Sequence, residues 1–154
     1  MPKLETRNSK LVGAALIGSA PVRDFTDLVV WRLARDLRVR GYGILRSFPR
    51  EEQYALANQL RRALISVTAN IAEGFGRYSF QENIQFCRQS RGSAYEVRDH
   101  LIAALDAGYV SPEDHAIADA LAQRVIQTLN GYIRATLERQ KANKISKRPV
   151  ETRA

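Results

Sequence analysis

The chain has 154 residues, 45% of them hydrophobic and 26% charged, with 24 Lys and Arg against 16 Asp and Glu, a net charge of +8 and a pI near 10.1. This length and composition predict one globular domain and exclude a disordered, low-complexity or collagen-like chain. A single cysteine excludes a disulfide framework, and with only two histidines the chain lacks the ligands of a structural zinc site. No apolar run reaches the roughly 20 residues that cross a bilayer, so we expect a soluble protein with no membrane partner.

The first residues bear on localisation. Lys3, Arg7 and Lys10 precede an apolar run at residues 11–18, in the order of a secretory signal. The run is only eight residues long and contains two glycines, so export is the weaker alternative. We interpret residues 1–23 as a flexible N-terminal extension of a cytoplasmic protein.

The positive charge is concentrated at the two ends of the chain. The residues before Asp24 carry a surplus of three positive charges and those after Gln140 a surplus of four, which leaves +1 for residues 24–140. We therefore expect a folded domain at residues 24–140, followed by a basic flexible C-terminal tail at residues 141–154. Residues 24–140 contain no lysine, so all the positively charged side chains of that domain are arginines. Arginine is suited to fixed ion pairs and interfaces.

Four helices are indicated by apolar residues that recur every three to four positions. The first is predicted to begin at an N-cap on Asp27 and to end before Pro49, because the residue before a proline is pushed out of the α region. Pro49 is then expected at the first position of the second helix, which ends in a C-cap-like turn at Gly74 and Gly76.

The third and fourth helices also have clear end signals. Ser79 and Glu82 have the spacing of a capping box, and Gly108 closes the third helix. The Ser-Pro pair at 111–112, followed by two acids, starts the fourth helix, which is predicted to continue towards Gln140. Short connections make neighbouring helices antiparallel, so the sequence predicts an all-α, antiparallel up-down-up-down four-helix bundle. The side chains of the fourth helix that are expected to face the core are Ile117, Leu121, Val125, Leu129, Tyr132 and Thr136.

The outward face of the second helix predicts self-association. The middle of this helix carries only two charges, both arginines, and 100° per residue places Tyr54, Ile65 and Ala72 opposite the core. A surface helix is normally charged on that side. A second apolar face therefore indicates a covering surface, most simply another copy of the chain. The alternative is the ordinary scatter of apolar residues on a protein surface.

Several segments of the chain resemble the motifs of one known family. The sequence is similar to the four-helix bundle protein family, also called the 23S rRNA intervening-sequence protein or S23 family, from about Phe25 to Gln140. The segments that carry the resemblance are FTDLVVW at 25–31, FP at 48–49 with Glu52, YAL at 54–56, QLRRA at 59–63, SVTANIAEG at 66–74, Gly92-Ser93 with Glu96, and GYV at 108–110.

The resemblance implies a bacterial cytosolic bundle, with members that assemble as homopentamers and with no settled biochemical activity. A related bundle is the accessory variability determinant of diversity-generating retroelements, a basic pentamer that works with a reverse transcriptase and nucleic acid. This relationship is the main reason to consider RNA or DNA as a partner.

Polar signature residues along one edge of the second helix have two interpretations. Gln59, Ser66, Asn70 and Glu73 form either a ligand groove or a buried hydrogen-bond network, and we favour the network because buried polar groups are kept when they are satisfied. Asn70 and Glu73 also lie beside the glycine turn at Gly74, where side-chain caps are expected.

The third helix carries few candidate functional residues. Gly92 is expected to let another helix approach closely, and Glu96 to pair with one of the two arginines of the second helix. Cys87 is expected to be an inert core residue, and His100 and His115 to be isolated and to face solvent. No Glu-x-x-His pair or phosphate-binding glycine loop occurs. We therefore expect no catalytic, metal or cofactor site.

Two functions remain as hypotheses. The first is a homo-oligomer that binds nucleic-acid phosphates without reading the bases; the second is a protein-interaction scaffold whose charged tail aids solubility. The candidate phosphate contacts are Arg61, Arg62 and Arg77 in the folded domain and Lys141, Lys144, Lys147 and Arg148 in the tail.

Overall fold

The computed structural model describes residues 21–147, and every regular element within that range is helical. Two short 3₁₀ turns, Phe25–Asp27 and Arg50–Tyr54, precede the first two long helices. Both α1 and α3 pack against α2 and α4, and the predicted all-α fold with four helices is confirmed. No helix in this range is long and apolar enough to cross a membrane. The long helices are α1 (Val29–Leu45), α2 (Leu56–Gly76), α3 (Phe80–Asp106) and α4 (Pro112–Ser146).

The core is a continuous column of aliphatic side chains contributed by all four helices. Full burial of one such side chain contributes about 1.5–3 kcal/mol, so these stripes hold the bundle together. The prediction for the start of α4 is wrong by one position: Ile117 is 48% exposed and Leu121 is half-buried, whereas Ala118 and Ala122 are buried. The largest fully buried side chains are Leu28, Leu37, Leu60, Leu64, Ile71, Leu101, Leu129, Val30, Val67, Val97 and Val125.

Helices pack closely at Gly41 and Gly74, and not at Gly92, the glycine for which close packing was predicted. A Cβ at Gly41 would overlap the Leu64 side chain, and one at Gly74 would lie 2.9 Å from Phe86 Cβ. Gly74 is buried inside α2 and does not form its C-cap, because the helix continues to Gly76. Gly92 is exposed, and a Cβ there would meet nothing within 4 Å, so the expected close approach at this position is absent from the described chain.

The starts of α1 and α2 differ from the prediction because a 3₁₀ turn precedes each helix. Asp27 does not cap α1; its Oδ2 accepts from the backbone N–H groups of Arg23 and Asp24, at 2.9 and 3.0 Å, and Leu28 takes the N-cap position. Pro49 likewise precedes the 3₁₀ turn and not α2, which begins at Leu56.

The caps at Ser79 and Ser111 and the glycine end at Gly108 are confirmed, although among the described contacts Ser79 and Glu82 form only the serine half of a capping box. Ser79 Oγ accepts from the backbone N–H of Glu82 at 3.4 Å, and Ser111 Oγ accepts from that of Asp114 at 3.1 Å, with a proline at the start of α4. Gly108 has a φ of +75°, and it ends α3 with hydrogen bonds from its own N–H and the next N–H back to the last turn. This is the Schellman arrangement, in which glycine accepts the left-handed conformation.

The last helix is longer than predicted. It continues past Gln140 to Ser146, so Lys141 and Lys144 lie on a helix and not on a flexible tail. The apolar period ends near Leu137, but the following residues are good helix formers without Gly or Pro, and an existing helix propagates through such a segment. The expected N-terminal extension up to residue 20, and Arg148 in the tail, lie outside the described residues.

Candidate functional site

The contact between α2 and α3 contains a network of small polar side chains. Ser66 Oγ and Ser93 Oγ are 2.8 Å apart, and Asn70 Nδ2 donates to both the carbonyl and the hydroxyl oxygen of Ser66, each at 2.9 Å. Ser90 Oγ, which is buried, donates to the carbonyl of Val67 at 2.7 Å. These bonds join the two helices where small side chains bring their backbones close.

The two other polar signature residues of α2 lie outside this network. Glu73 is exposed and accepts from Arg77 Nη2 at 2.7 Å, one turn along the helix. Gln59 is also exposed and faces an open groove between α2 and α3. The favoured network interpretation therefore fits Asn70, the groove interpretation fits Gln59, and Ser66 belongs to both because it bonds to Ser93 and Asn70 and also lines the groove.

The groove between α2 and α3, called here the α2–α3 groove, has a volume of about 400 Å³. Its α3 wall is Glu96, whose Oε1 lies 3.3 Å from Nε2 of His100. The expected pairing of Glu96 with Arg61 or Arg62 is wrong, since no ion pair joins them within 4.0 Å among the described residues. The lining residues are Gln59, Arg62, Ala63, Ser66 and Glu96.

The prediction that both histidines face solvent is also wrong. His100 is buried on α3 beside Glu96, and its Nδ1 lies 3.8 Å from Asp99. His115 is half-buried, and its Nε2 is buried without a hydrogen-bond partner in the described part of the chain. The four-residue spacing between Glu96 and His100 was a sequence signal for their contact, because such residues share a helix face.

Cys87 is buried in the core, and its Sγ donates to Asn83 Oδ1 at 3.3 Å. Burial raises the pKa of this thiol to about 12. Because the thiolate is the reactive form, a buried neutral thiol of this kind is unreactive at physiological pH. Within residues 21–147, no group of three or more metal-ligating side chains comes together.

The candidate phosphate contacts do not form one surface. Arg61 and Arg62 are exposed near the start of α2, about 20 Å along the helix axis from its end at Gly76. Arg77 lies at that end, but its guanidinium contacts Glu73 at 2.7 Å and Glu82 at 3.9 Å. Contact with these carboxylates raises the pKa of Arg77, and its charge is largely balanced locally.

Unlike Arg77, the lysines at the end of α4 have no carboxylate nearby in their own segment, residues 139–147. After Leu137 no described residue of α4 is fully buried, although Arg139, Gln140 and Asn143 are half-buried. Lys141, Lys144 and Lys147 are exposed there, and residues 139–147 contain no acid and no aromatic residue. We call residues 139–147 the basic helical end. The three lysines are spaced three residues apart, so they occupy neighbouring positions on one side of the helical end.

Two of the surfaces that carry exposed apolar side chains are edges of the bundle between neighbouring helices. Tyr54 is 89% and Ile65 43% exposed, and Ala72 is half-buried. Ile65 lies three residues from Thr68, whose hydroxyl accepts from Arg38 of α1 at 2.7 Å. This first edge therefore follows the seam between α1 and α2.

The second edge follows the seam between α3 and α4. Tyr95 is 53% and Ile102 46% exposed. They flank Arg98, which pairs with Asp119 of α4 at 2.7 Å. Because α2 packs on α3 and α1 on α4, the two seams lie on opposite sides of the bundle.

The comparisons with known proteins agree with this fold. Among solved structures, the chain is similar to a protein with unknown function from the S23 ribosomal protein family of Bacteroides thetaiotaomicron, with 20% identity and a TM-score of 0.64 over 68% of this chain and 98% of that chain. A likeness at this identity establishes the fold alone. No curated protein matches the chain. The model of the family described as 23S rRNA-intervening sequence protein matches residues 26–131, which is more than half of the chain and confirms the resemblance in its sequence. The chain therefore belongs to the 23S rRNA-intervening sequence protein family.

Proposed function

We propose that this protein is a non-enzymatic, cytoplasmic homo-oligomer, a pentamer as the family resemblance implies, which binds nucleic-acid phosphates through the basic helical end of each copy. The observation that carries the proposal is the extension of α4 past Gln140 to Ser146. Lys141 and Lys144 are exposed on α4 and Lys147 is exposed at its C-cap, and residues 139–147 contain no acid.

Binding at this end would be insensitive to base sequence. Lysine contacts phosphate as a point charge, and its affinity comes largely from the release of counterions. Readout of bases needs hydrogen bonds to their edges or stacking on aromatic rings, and the basic helical end contains no aromatic residue. RNA and DNA are therefore both expected to bind, with affinities set by charge density and salt.

The two exposed apolar edges favour assembly in a ring. A contact between the α1–α2 edge of one copy and the α3–α4 edge of the next is heterologous, and repetition of such a contact closes a ring when the rotation allows it. One basic helical end binds weakly, but several in one assembly engage the same nucleic acid with an affinity higher by about 10² or more. The assembly and the binding thus support each other.

Salt titration of binding to structured RNA and to duplex DNA tests the proposal. The Lys141→Gln/Lys144→Gln/Lys147→Gln triple variant is expected to bind more weakly, with the slope of log K against log salt reduced by up to about 0.9 for each lysine that contacts a phosphate. The matched control removes three exposed arginines at the other end of the bundle, Arg46→Gln/Arg50→Gln/Arg61→Gln, and should keep most of the affinity.

Two results would contradict the proposal. Failure of the unaltered protein to bind either nucleic acid near about 0.1 M salt would remove the phosphate-binding role. Equal losses in the lysine and arginine variants would show that net charge, and not the basic helical end, drives binding. Sedimentation of all three proteins must show the same assembly, since the avidity depends on copy number.

A protein-interaction scaffold is the second candidate, and one surface favours it. Val39 and Ile117 are exposed in a groove of about 670 Å³ between α1 and α4, beside the ion pair of Arg40 with Asp114 at 3.9 Å. An apolar groove rimmed by charges is typical of a protein-binding surface. This candidate gains support if neither nucleic acid binds while the assembly remains intact.

A further inference from the structure

We propose that the α2–α3 groove is a binding site for a small zwitterion of the α-amino acid type. The site is separate from the basic helical end, and the inference does not rest on nucleic-acid binding. It is carried by opposite charges that face the same groove without contacting each other, together with hydroxyl and amide groups that have hydrogen-bonding capacity to spare.

The charges of the groove come from facing helices. Arg62 of α2 and Glu96 of α3 both line it, and no ion pair joins them within 4.0 Å. Among residues 21–147 Arg62 has no carboxylate partner, and only Oε1 of Glu96 is engaged, by His100. A guanidinium in this state can take a carboxylate in a two-pronged contact, and the free oxygen of Glu96 can accept from an ammonium group.

The hydroxyl pair of Ser66, which lines the groove, and Ser93 retains one unused hydrogen. Ser66 and Ser93 carry two hydroxyl hydrogens between them, and their mutual bond of 2.8 Å uses only one. Asn70 donates to Ser66 and therefore does not take up the second hydrogen. Ser66 lines the groove, and when Ser93 donates to it, the hydroxyl hydrogen of Ser66 is free for a carboxylate oxygen held by Arg62.

The size of the groove fits a small ligand. A volume of about 400 Å³ falls within the roughly 300–1,000 Å³ of small-molecule sites. Ala63, which is buried, also lines the groove, and its short side chain takes up little of the space. The Gln59 amide at the rim can donate and accept, so it can bind the side chain of an amino acid.

Simultaneous use of both charges distinguishes a zwitterion from a simple ion. Acetate can satisfy Arg62 but not Glu96, and methylammonium can satisfy Glu96 but not Arg62. An α-amino acid presents its carboxylate and ammonium groups on one carbon, so it can contact both walls. We therefore expect an amino acid to bind at least about tenfold more tightly than either half, since two charge-assisted contacts replace one.

The test is an NMR titration of the isotope-labelled full chain, with isothermal titration calorimetry beside it, using L-glutamine, sodium acetate and methylammonium chloride up to about 10 mM. L-glutamine is expected to shift amides of α2 and α3 around the groove in a saturable manner. Arg62→Gln and Glu96→Gln should each weaken this binding about tenfold or more, and Arg62→Lys should weaken it less than Arg62→Gln. Neither side chain is buried, so both variants should stay folded.

Two exposed charged residues of the same helices provide matched controls. Arg61→Gln removes the adjacent arginine of α2, and Asp106→Asn removes an exposed acid of α3; neither residue lines the groove. Both should bind L-glutamine as the unaltered chain does. The proposal is overturned if L-glutamine produces no saturable shift, if acetate binds equally well, or if Arg61→Gln is as harmful as Arg62→Gln. It is also overturned if Arg62→Gln and Glu96→Gln alter sedimentation, because the groove would then be a subunit contact.

Discussion

The hydroxyl of Tyr109 donates a hydrogen bond of 2.9 Å to Oε1 of Glu52, which joins the α3–α4 turn to the segment between α1 and α2. The same turn is held by Ser47, whose Oγ donates to the carbonyl of Tyr109 at 2.8 Å, and by the ring of Phe48, 5.4 Å from that of Tyr109. Both inter-helix connections at this end of the bundle are therefore tied into one cluster.

Loss of the hydrogen bond between Tyr109 and Glu52 is expected to lower the urea midpoint of unfolding. Tyr109→Phe keeps the ring contact with Phe48 but removes the donor to Glu52, whereas Tyr95→Phe removes a hydroxyl from an exposed ring and should leave the midpoint unchanged. The bond to Glu52 raises the pKa of Tyr109, so its contribution is present at neutral pH and is lost as the pH rises through that raised value. A difference between Tyr109→Phe and the unaltered protein that persists at high pH would contradict this account.

The ion pair between Arg98 and Asp119 predicts an acid-sensitive contribution to stability. Burial acts to raise the pKa of Asp119, but hydrogen bonds from Arg98 and Gln123 outweigh it and hold the pKa below its ordinary value. The contribution is therefore complete above the unfolded pKa of about 3.9 and is lost as the pH falls through the lowered folded value. Asp119→Asn should cost about 1 kcal/mol in the free energy of unfolding at pH 7.

Urea denaturation of the Asp119→Asn variant across acid pH checks this prediction. The gap between variant and unaltered protein should narrow as the pH falls below about 4, because Asp119 is then protonated in the unfolded state while it is still ionised in the folded state, and it should be smallest below the lowered folded pKa. Glu113→Gln, at an exposed acid near the start of α4, should show no comparable gap at any pH. A gap that stays constant between neutral and acid pH would mean that Asp119 acts through packing and not through its charge.

Two glycine-to-alanine substitutions should have opposite effects on the free energy of unfolding. At Gly74 the new Cβ would lie 2.9 Å from Phe86 Cβ and 3.2 Å from the carbonyl oxygen of Asn83, so the helices must separate, at a cost of about 1–3 kcal/mol. At Gly92 the Cβ meets nothing within 4 Å, and the higher helix propensity of alanine should stabilise the protein by up to about 1 kcal/mol. Thermal denaturation of both variants measures the signs, and stabilisation by Gly74→Ala would contradict the packing of α2 on α3.

The buried thiol provides a probe of unfolding. Cys87 is the only cysteine, and burial raises its pKa to about 12, so a thiol reagent should label it only through opening of the bundle. The labelling rate at neutral pH should rise with urea in parallel with the unfolding equilibrium. Fast labelling in the absence of urea, at the rate of a free cysteine, would show that the core around Cys87 opens easily.

Sequence patterns predicted those features of the fold that depend on neighbouring residues. The cap at Ser79, the proline start of α4 and the glycine end of α3 at Gly108 each arise within four or five positions, and each was predicted correctly. Asp27 and Pro49 carry the same kind of signal, but Asp27 is the last residue of one 3₁₀ turn and Pro49 immediately precedes the other, so neither marks the start of a long helix. The end of α4 was missed because helix propensity, and not apolar period, extends it beyond Leu137.

The candidate site depended on contacts between helices, which the sequence did not supply. The pairing of Ser66 with Ser93 and the shared groove of Arg62 and Glu96 require the register of α2 against α3. Helical spacing placed Gln59 and Ser66 on one edge of α2 but gave no indication of which α3 residues lie opposite. The burial of His100 was missed for the same reason.

The proposed ring makes a specific prediction for mixtures of variants. Ile65→Glu places a charge on the α1–α2 edge and Tyr95→Glu on the α3–α4 edge, and each substitution alone should prevent assembly, because every contact of a head-to-tail ring uses both edges. An equal mixture of the two variants retains one unaltered edge of each kind, so one contact forms and the sedimentation velocity should show a dimer. Val39→Glu, at an exposed apolar residue away from both edges, should leave the assembly intact. If Ile65→Glu alone disrupted assembly while Tyr95→Glu did not, the contact would be isologous, through the α1–α2 edges of two copies, and the ring would be wrong.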